Sequence, residues 1–350
     1  LLAAWLPRRL SIRIILVLLL LAWLPILGMP APQQQGPTFS VSVDLVKVPV
    51  TIFQPNGAPI ATPERKDFRI YEDGELQQIR SFGVDVNPVS VVLLLDCSGT
   101  VEKEWKQIKS AAESFAEALS KGDRISVITF ADDVQLALDW SADTRQVRKA
   151  LNKVRLGMRT DLYDAIFEAA QTQLKDIEGR KAIILLTDFL NNQSVLGYQD
   201  AVQAVLQSQA TLYIVSKTMM VREAAKTQQH VVILNDIYQQ LFGDSNYIDE
   251  FFTKKETQMN DFAEKTGGRC YFPADYDQIE QVYQQVAREL KNQYYITYIS
   301  ESSKPRNSYH RITVEYLQPA SKIIHRQGYY FKPDPIMVPR EPMVRRNASK

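Results

Sequence analysis

At 350 residues the chain has room for two domains, and 45% hydrophobic with 23% charged residues is ordinary for a folded globular protein. Lys and Arg total 41 against 40 Asp and Glu, and the resulting net charge of +1 leaves no field to hold nucleic acid or an acidic polymer. Two cysteines, Cys97 and Cys270, could form one disulfide in an exported protein, but Cys97 falls in a loop and Cys270 in an expected strand, so the pair reads first as buried free thiols.

In chain order, Arg8, Arg9 and Arg13 precede an apolar run over 14–27, and small residues and a Gln33-Gln34-Gln35 stretch follow. That order predicts a secretory signal over residues 1–35. The run falls short of the roughly 20 residues that span a bilayer. An uncleaved anchor and a buried helix stay open beside the cleaved signal. The protein is therefore expected to be exported, periplasmic or extracellular, and to touch a membrane only through an uncleaved N-terminal segment.

Residues 36–87 read as β structure. Apolar residues alternate in odd phase at Val41, Val43 and Leu45, then in even phase at Val46, Val48, Val50 and Ile52. The slip predicts a β-bulge near Leu45 and Val46, and Pro49 predicts a sheet edge. Phe68, Ile70, the Asp73-Gly74 pair and Leu76 predict a tight hairpin.

From residue 88 the pattern changes. Five apolar residues in a row, 91–95, suit a parallel strand buried on both faces. A helix follows with Ile108, Ala112 and Phe115 on one face. Strands are expected at 125–130, 134–138, 182–186, 212–215 and 269–272, with helices at 144–154, 162–174, 198–207 and 278–290. Strands alternating with helices predict a doubly wound α/β domain over 88–291. Residues 217–252 break the alternation and read as an insertion or lid. Strands return at 294–299, 311–316, 322–325 and 328–331, within a segment 292–333, and 334–350 reads as a flexible tail. With β segments on both sides, the α/β domain is expected to be inserted into a split β-sandwich.

Three loops carry oxygen-bearing side chains. Asp96, Ser98 and Thr100 follow the first buried strand, Thr160 opens a helix, and Asp188 ends another buried strand. Each alone reads equally well as a helix cap. Together they fall at the carboxyl edge of one sheet, where open α/β sheets bind ligands. A hard cation such as Mg²⁺ takes oxygen donors of this kind. Asp96 and Asp188 are expected to face solvent, so that losing either would cost the fold little.

At these residues the chain resembles the von Willebrand factor A family and its metal-ion-dependent adhesion site. Asp96-Cys97-Ser98-Gly99-Thr100 is similar to the family's Asp-x-Ser-x-Ser, with a hydroxyl kept in the last place. Thr160 lies in a stretch similar to Gly-Gly-Thr-x-Leu-x-Asp-Ala, with Met158-Arg159 in place of the glycines. Asp188 matches the aspartate after the central strand, with Phe189 where glycine is common. The resemblance implies a doubly wound, Rossmann-like fold over 89–290 and a divalent metal, Mg²⁺ or alternatively Mn²⁺ or Ca²⁺. Ser98, Thr100 and Thr160 would touch that metal, and Asp96 and Asp188 would hold it through water. A partner protein would supply a carboxylate to the open position, so the implied role is binding and not catalysis. The flanks, including 46–50, 67–74, 294–298 and 326–330, also resemble exported proteins known from Acidobacteria.

Two other classes stand beside this one. Asp96 to Thr100 is similar to the Asp-x-Asp-Gly-Thr opening of haloacid dehalogenase-type phosphatases, but Ser98 removes the second carboxylate that reaction needs. A structural scaffold, whose metal only ties the three loops together, is the other. His230, His310 and His325 are scattered and suggest neither a catalytic triad nor a zinc site.

Overall fold

The computed structural model describes residues 45–55, 58–60, 62–98, 105–226, 246–305, 307–319, 322–331, 335–336 and 345–346. The segment 1–35 and Thr100 lie outside these residues, as does most of 334–350.

Four strands come first: β1 (Leu45–Phe53), β2 (Phe68–Glu72), β3 (Glu75–Gln77) and β4 (Ile79–Val84). The hairpin between β2 and β3 turns on Asp73 and Gly74, with φ of 52° and 93°. Two successive positive φ values mark the tight turn that the Asp-Gly pair favours. Among the described residues β1 shows no bulge, since Leu45 and Val46 pair in unbroken register with Ile299 and Tyr298; Val41 and Val43 lie outside the described residues. Leu45 is simply exposed at the strand end, while Val46, Val48, Val50 and Ile52 are buried. Pro49 stands in a strand paired on both sides, but the second neighbour begins only at Val50, so its missing N–H breaks no ladder.

The α/β block runs β5 (Val89–Asp96), α1 (Trp105–Ala118), β6 (Arg124–Phe130), β7 (Val134–Ser141), α2 (Thr144–Leu151), α3 (Leu162–Phe167), β8 (Arg180–Thr187), α4 (Tyr198–Ser208), β9 (Thr211–Ser216), α5 (Thr218–Lys226), α6 (Tyr247–Lys265), β10 (Cys270–Tyr271) and α7 (Gln278–Lys291). All eight residues of β5 are buried. Val91, Leu93 and Leu95 face one core with Ile108 and Phe115 of α1 and Tyr283 and Val286 of α7. Val92 and Leu94 face the other, with Leu162 and Ile166 of α3, Val205 of α4 and Phe262 of α6. One apolar run therefore serves both helical layers, as a doubly covered parallel strand must. The helix expected over 162–174 continues past Phe167 as a π-helical stretch, Glu168–Gln173.

The segment from Lys217 to Phe252 is not a plain insertion at its described ends. Lys217 directly follows β9, α5 occupies Thr218–Lys226, and α6 already begins at Tyr247. The alternation was obscured because α5 buries little of its surface.

The chain closes with β11 (Tyr294–Ile299), β12 (Tyr309–Tyr316), β13 (Lys322–His325), β14 (Gly328–Tyr330) and β15 (Arg345–Arg346). The α/β sheet has the order β10-β9-β8-β5-β6-β7-β15. Strands β10, β9, β8, β5 and β6 are parallel, and β7 runs antiparallel to β6. The order reverses between β5 and β8, so the crevice for a ligand opens at the ends of those two strands.

The flanking segments pair with each other in two four-stranded sheets, β13-β1-β11-β4 and β14-β12-β2-β3. Val48 and Val50 of β1, Ile70 of β2, Ile296 and Tyr298 of β11 and Ile312 and Val314 of β12 share one apolar cluster. The crossings from β4 to β5 and from α7 to β11 run side by side, and β15 returns to the α/β sheet further along the chain. Asp85 N–H donates to the Gln293 carbonyl at 2.9 Å. The Arg180 guanidinium donates to the carbonyls of Asp85 (3.0 Å), Asn87 (2.9 Å) and Leu290, and so ties both crossings together.

Candidate metal-binding edge of the α/β sheet

β5 ends on Asp96, which is fully buried. Its Oδ1 accepts from Ser98 N–H at 3.0 Å, a local turn that a short carboxylate favours after a strand. Its Oδ2 accepts from the Thr187 hydroxyl at 3.3 Å. β8 ends on Thr187, and Asp188 follows it, 2% exposed. Asp188 Oδ1 accepts from Leu190 N–H at 3.0 Å.

The third loop is tied to both of the others. Gly157 N–H donates to the Cys97 carbonyl at 3.0 Å, and Gly157 bridges Ser98. A side chain at Gly157 would meet Ala131 Cβ at 2.7 Å, so the close approach requires glycine. Met158 and Arg159 donate backbone N–H groups to Asp132 Oδ1 at 3.0 and 2.7 Å. Thr160, 4% exposed, donates its N–H to Asn192 Oδ1 at 2.9 Å, in the loop that carries Asp188. Asp96, Ser98, Thr160 and Asp188 thus stand on three mutually bonded loops. Asp161 is next to them, and burial, with the nearby Asp164 carboxylate, lifts its carboxyl to about 6.

Two features differ from the expectation. Asp96 and Asp188 do not face solvent; both are buried. Lys217 joins them, and it was not among the sequence candidates. Its side chain is fully buried, with Nζ 3.1 Å from Asp96 Oδ2 and 4.0 Å from Asp188 Oδ2. Its backbone N–H donates to the Thr187 carbonyl at 2.8 Å, which fixes it at the end of β9 beside β8. Burial disfavours the ammonium, but the two carboxylates outweigh it and hold the Lys217 pKa above its ordinary value. Burial pushes the Asp188 carboxyl up to about 6; Lys217 opposes that rise and Asp96 adds to it. The available signal was a lysine directly after a fully buried strand at the same sheet edge.

Phe189 takes the left-handed conformation, φ 61°, where a glycine would sit without strain. Its ring is fully buried and meets Tyr163 and Tyr198 edge-on at 6.3 and 6.4 Å. Packing outweighs a backbone cost of about 1–2 kcal/mol. Cys97 and Cys270 are buried free thiols, and burial raises both well above the ordinary thiol range.

The histidines also depart from the expectation. Glu72, Asp73 and His310 bring ligating atoms within 4.8 Å of one another. His310 Nδ1 lies 3.1 Å from Glu72 Oε1 and 3.2 Å from Asp73 Oδ2. The pairing of β2 with β12 unites residues that are over 230 positions apart, so no spacing in the sequence announces the group.

Residues 91–191 match the family described as von Willebrand factor type A domain. The chain carries a von Willebrand factor type A domain. No curated protein matches the chain. Among solved structures it is similar to the vWF domain of the type V pili tip protein Mfa5 from Porphyromonas gingivalis, at 19% identity over 30% of this chain and 39% of that one, TM-score 0.28. It is similar to a von Willebrand factor type A protein from Catenulispora acidiphila, at 10% identity over 81% and 73% of the two chains, TM-score 0.45. It is also similar to proximal thread matrix protein 1 from the mussel byssus, described with a zinc-occupied MIDAS motif, at 14% identity over 63% and 49%, TM-score 0.42. The first and third of these are spanned over less than two thirds of their length. The matched von Willebrand factor type A segment includes Asp96, Ser98, Thr100, Thr160 and Asp188, and it stops before Lys217.

The described donors in this domain fit a divalent cation in kind, being two carboxylates and two hydroxyl-bearing residues. They also fit it in charge. One ammonium serves two buried carboxylates, so one negative charge stays uncompensated even with Lys217 in place.

Proposed function

We propose that the Asp96 edge of the von Willebrand factor type A domain is a metal-dependent protein-binding site. Asp96, Ser98, Thr100, Thr160 and Asp188 would hold Mg²⁺, or alternatively Mn²⁺ or Ca²⁺. The supporting observation is the convergence of three bonded loops on two buried carboxylates that share a single ammonium. The ion would supply an electrophilic position for a carboxylate of a partner protein. This chain's own residues would fix that position and keep its surroundings dry. Domains of this family are in general interaction modules and not enzymes, and Ser98 stands where a phosphatase would need a carboxylate. In this reading the protein works outside the cytoplasm, periplasmic or extracellular, and a split β-sandwich of the two flanking sheets carries the domain.

Lys217 tunes the site. A fixed ammonium keeps the carboxylates paired without metal and competes with the ion for them. Metal occupancy would then follow the local divalent concentration.

The test is calorimetric titration of metal-stripped full-length protein with Mg²⁺, Mn²⁺ and Ca²⁺, followed by capture of proteins from an exported fraction with and without EDTA. Saturable metal binding with EDTA-sensitive capture is expected. Capture that survives EDTA while the protein stays folded overturns the metal dependence. Metal binding that stabilises the fold with no capture favours the scaffold reading.

A further inference from the structure

The opposite end of the α/β sheet, where β5, β8 and β9 begin, holds a cavity of about 380 Å³ beside the two chain crossings. Its lining includes Lys47, Asp85, Arg180, Lys181, Gln293 and Arg326. With Glu178, four cationic side chains there face two carboxylates, a surplus of two positive charges. Asp85 is already engaged, at 2.6 Å from Lys47 Nζ and 3.6 Å from Arg180 Nε.

Arg326 has no such partner. It is 6% exposed. Its Nη groups donate to the Gln209 carbonyl (2.6 Å) and to Gln209 Oε1 (3.4 Å), both neutral acceptors. No carboxylate among the described residues pairs with it. Its Nε, Arg180 Nε and Gln293 Nε2 are buried donors with no hydrogen-bond partner among the described residues. All three belong to residues that line this one cavity.

A buried guanidinium without a counterion costs several kcal/mol in general, and each unmet buried donor adds to that. Folded proteins do not ordinarily leave such groups together around an open space. Burial lowers the Arg326 pKa to about 10, and burial with the nearby Arg326 charge lowers that of Lys181. A buried guanidinium that depresses a neighbouring ammonium is a pairing that an anion would relieve.

We propose that this cavity binds a small molecule through a phosphate or carboxylate group, held by the Arg326 guanidinium, the Lys181 ammonium and the Gln293 amide. A guanidinium edge matches the two oxygens of either group. The volume is at the lower end of small-molecule sites and exceeds what a bare phosphate fills, so the ligand carries a compact organic body. Because Arg180 and Gln293 hold the crossings, occupancy would stiffen the junction between the α/β block and the flanking sheets.

The experiment uses full-length protein freed of metal by resin, since EDTA is itself a polycarboxylate. Thermal melting and calorimetry are run with glycerol phosphate, citrate and inorganic phosphate, at ionic strength matched with chloride. Saturable stabilisation by glycerol phosphate or by citrate, stronger than by inorganic phosphate or chloride, is expected. Which of the two acts assigns the headgroup. Lys181→Gln should weaken binding about tenfold while melting as a folded protein without ligand. Arg326→Lys keeps the charge, loses the forked donors and should weaken binding comparably. No saturable stabilisation beyond chloride by any of the three overturns the proposal. So does unchanged affinity in both variants, or a preference for inorganic phosphate.

Discussion

Lys217→Met tests the charge arithmetic of the Asp96 edge. Methionine keeps most of the length of the side chain and removes its charge. At an effective dielectric of about 20, the 3.1 Å and 4.0 Å approaches of Nζ to Asp96 and Asp188 correspond to roughly 5 and 4 kcal/mol of attraction. Desolvation of the ammonium offsets much of that. Removing one member of a buried ion pair costs about 3–5 kcal/mol net, because the remaining charge is stranded. The variant should therefore lose about 3–5 kcal/mol in metal-free urea denaturation at pH 8. At pH 6 the loss should shrink, because Asp188, already lifted to about 6 by burial, rises further without Lys217 and takes a proton. Mg²⁺ should then rescue the variant more than it helps the wild type. The site goes from one uncompensated negative charge to two, and a tenfold tighter affinity corresponds to about 1.4 kcal/mol. At a hundredfold excess over Kd the metal should return about 2.7 kcal/mol. If the variant is as stable as the wild type without metal, or if Mg²⁺ stabilises both equally, Lys217 is not competing for these carboxylates.

Four further substitutions extend the test within the α/β block. Asp96→Asn should cost more in metal-free urea denaturation than Asp188→Asn, because Lys217 lies closer to Asp96 and Asp188 is nearer to neutral. Both should abolish any stabilisation by Mg²⁺, and the reverse order of cost would contradict the pairing geometry. Phe189→Gly relieves a positive φ worth about 1–2 kcal/mol but gives up a fully buried ring worth about 3–5 kcal/mol, so a net loss of about 2–3 kcal/mol is expected in urea titration. Glu168 is buried, and burial raises its carboxyl from the ordinary 4.5 to about 7. A raised acid favours the folded state fully below its unfolded value, and that contribution is lost as pH climbs through the folded one. Glu168→Gln should therefore gain on the wild type between pH 5 and pH 8, by on the order of 2 kcal/mol, in paired denaturation curves. Parallel curves across that range would show that Glu168 titrates normally.

Much of the fold was legible because burial imposes periodicity. The unbroken apolar run of β5 and the Asp73-Gly74 turn each have one physical solution, and both appear where composition asks for them. The oxygen-bearing residues were legible as a set because parallel strands deliver their ends to one edge. Thr100 is the exception, since it lies outside the described residues. Lys217 was hidden by its charge: a lysine after an apolar strand reads as the point where a chain meets water, yet two carboxylates from other strands keep it buried. The solvent-facing reading of Asp96 and Asp188 failed for the same reason. His310 was hidden by distance along the chain, because strand pairing across more than 230 residues leaves no local trace. The expected bulge near Leu45 rested in part on Val41 and Val43, which lie outside the described residues; from Leu45 onward the pairing is regular.

The two crossings have a mechanical consequence. Tension applied at the Asp96 edge leaves the α/β block through its far end, along β4 and β11 together, since both attach there. The two strands are bonded neighbours and would be drawn in the same direction. The joint that resists is the seam between β11 and β1, where the pairs from Leu45–Ile299 to Val50–Tyr294 lie in continuous register. A pull along the strand axis loads that seam in shear, with its rungs stretched in concert and not unzipped in turn. Arg180, bound to carbonyls of both crossings, acts as a rivet that keeps the two lines taut as one.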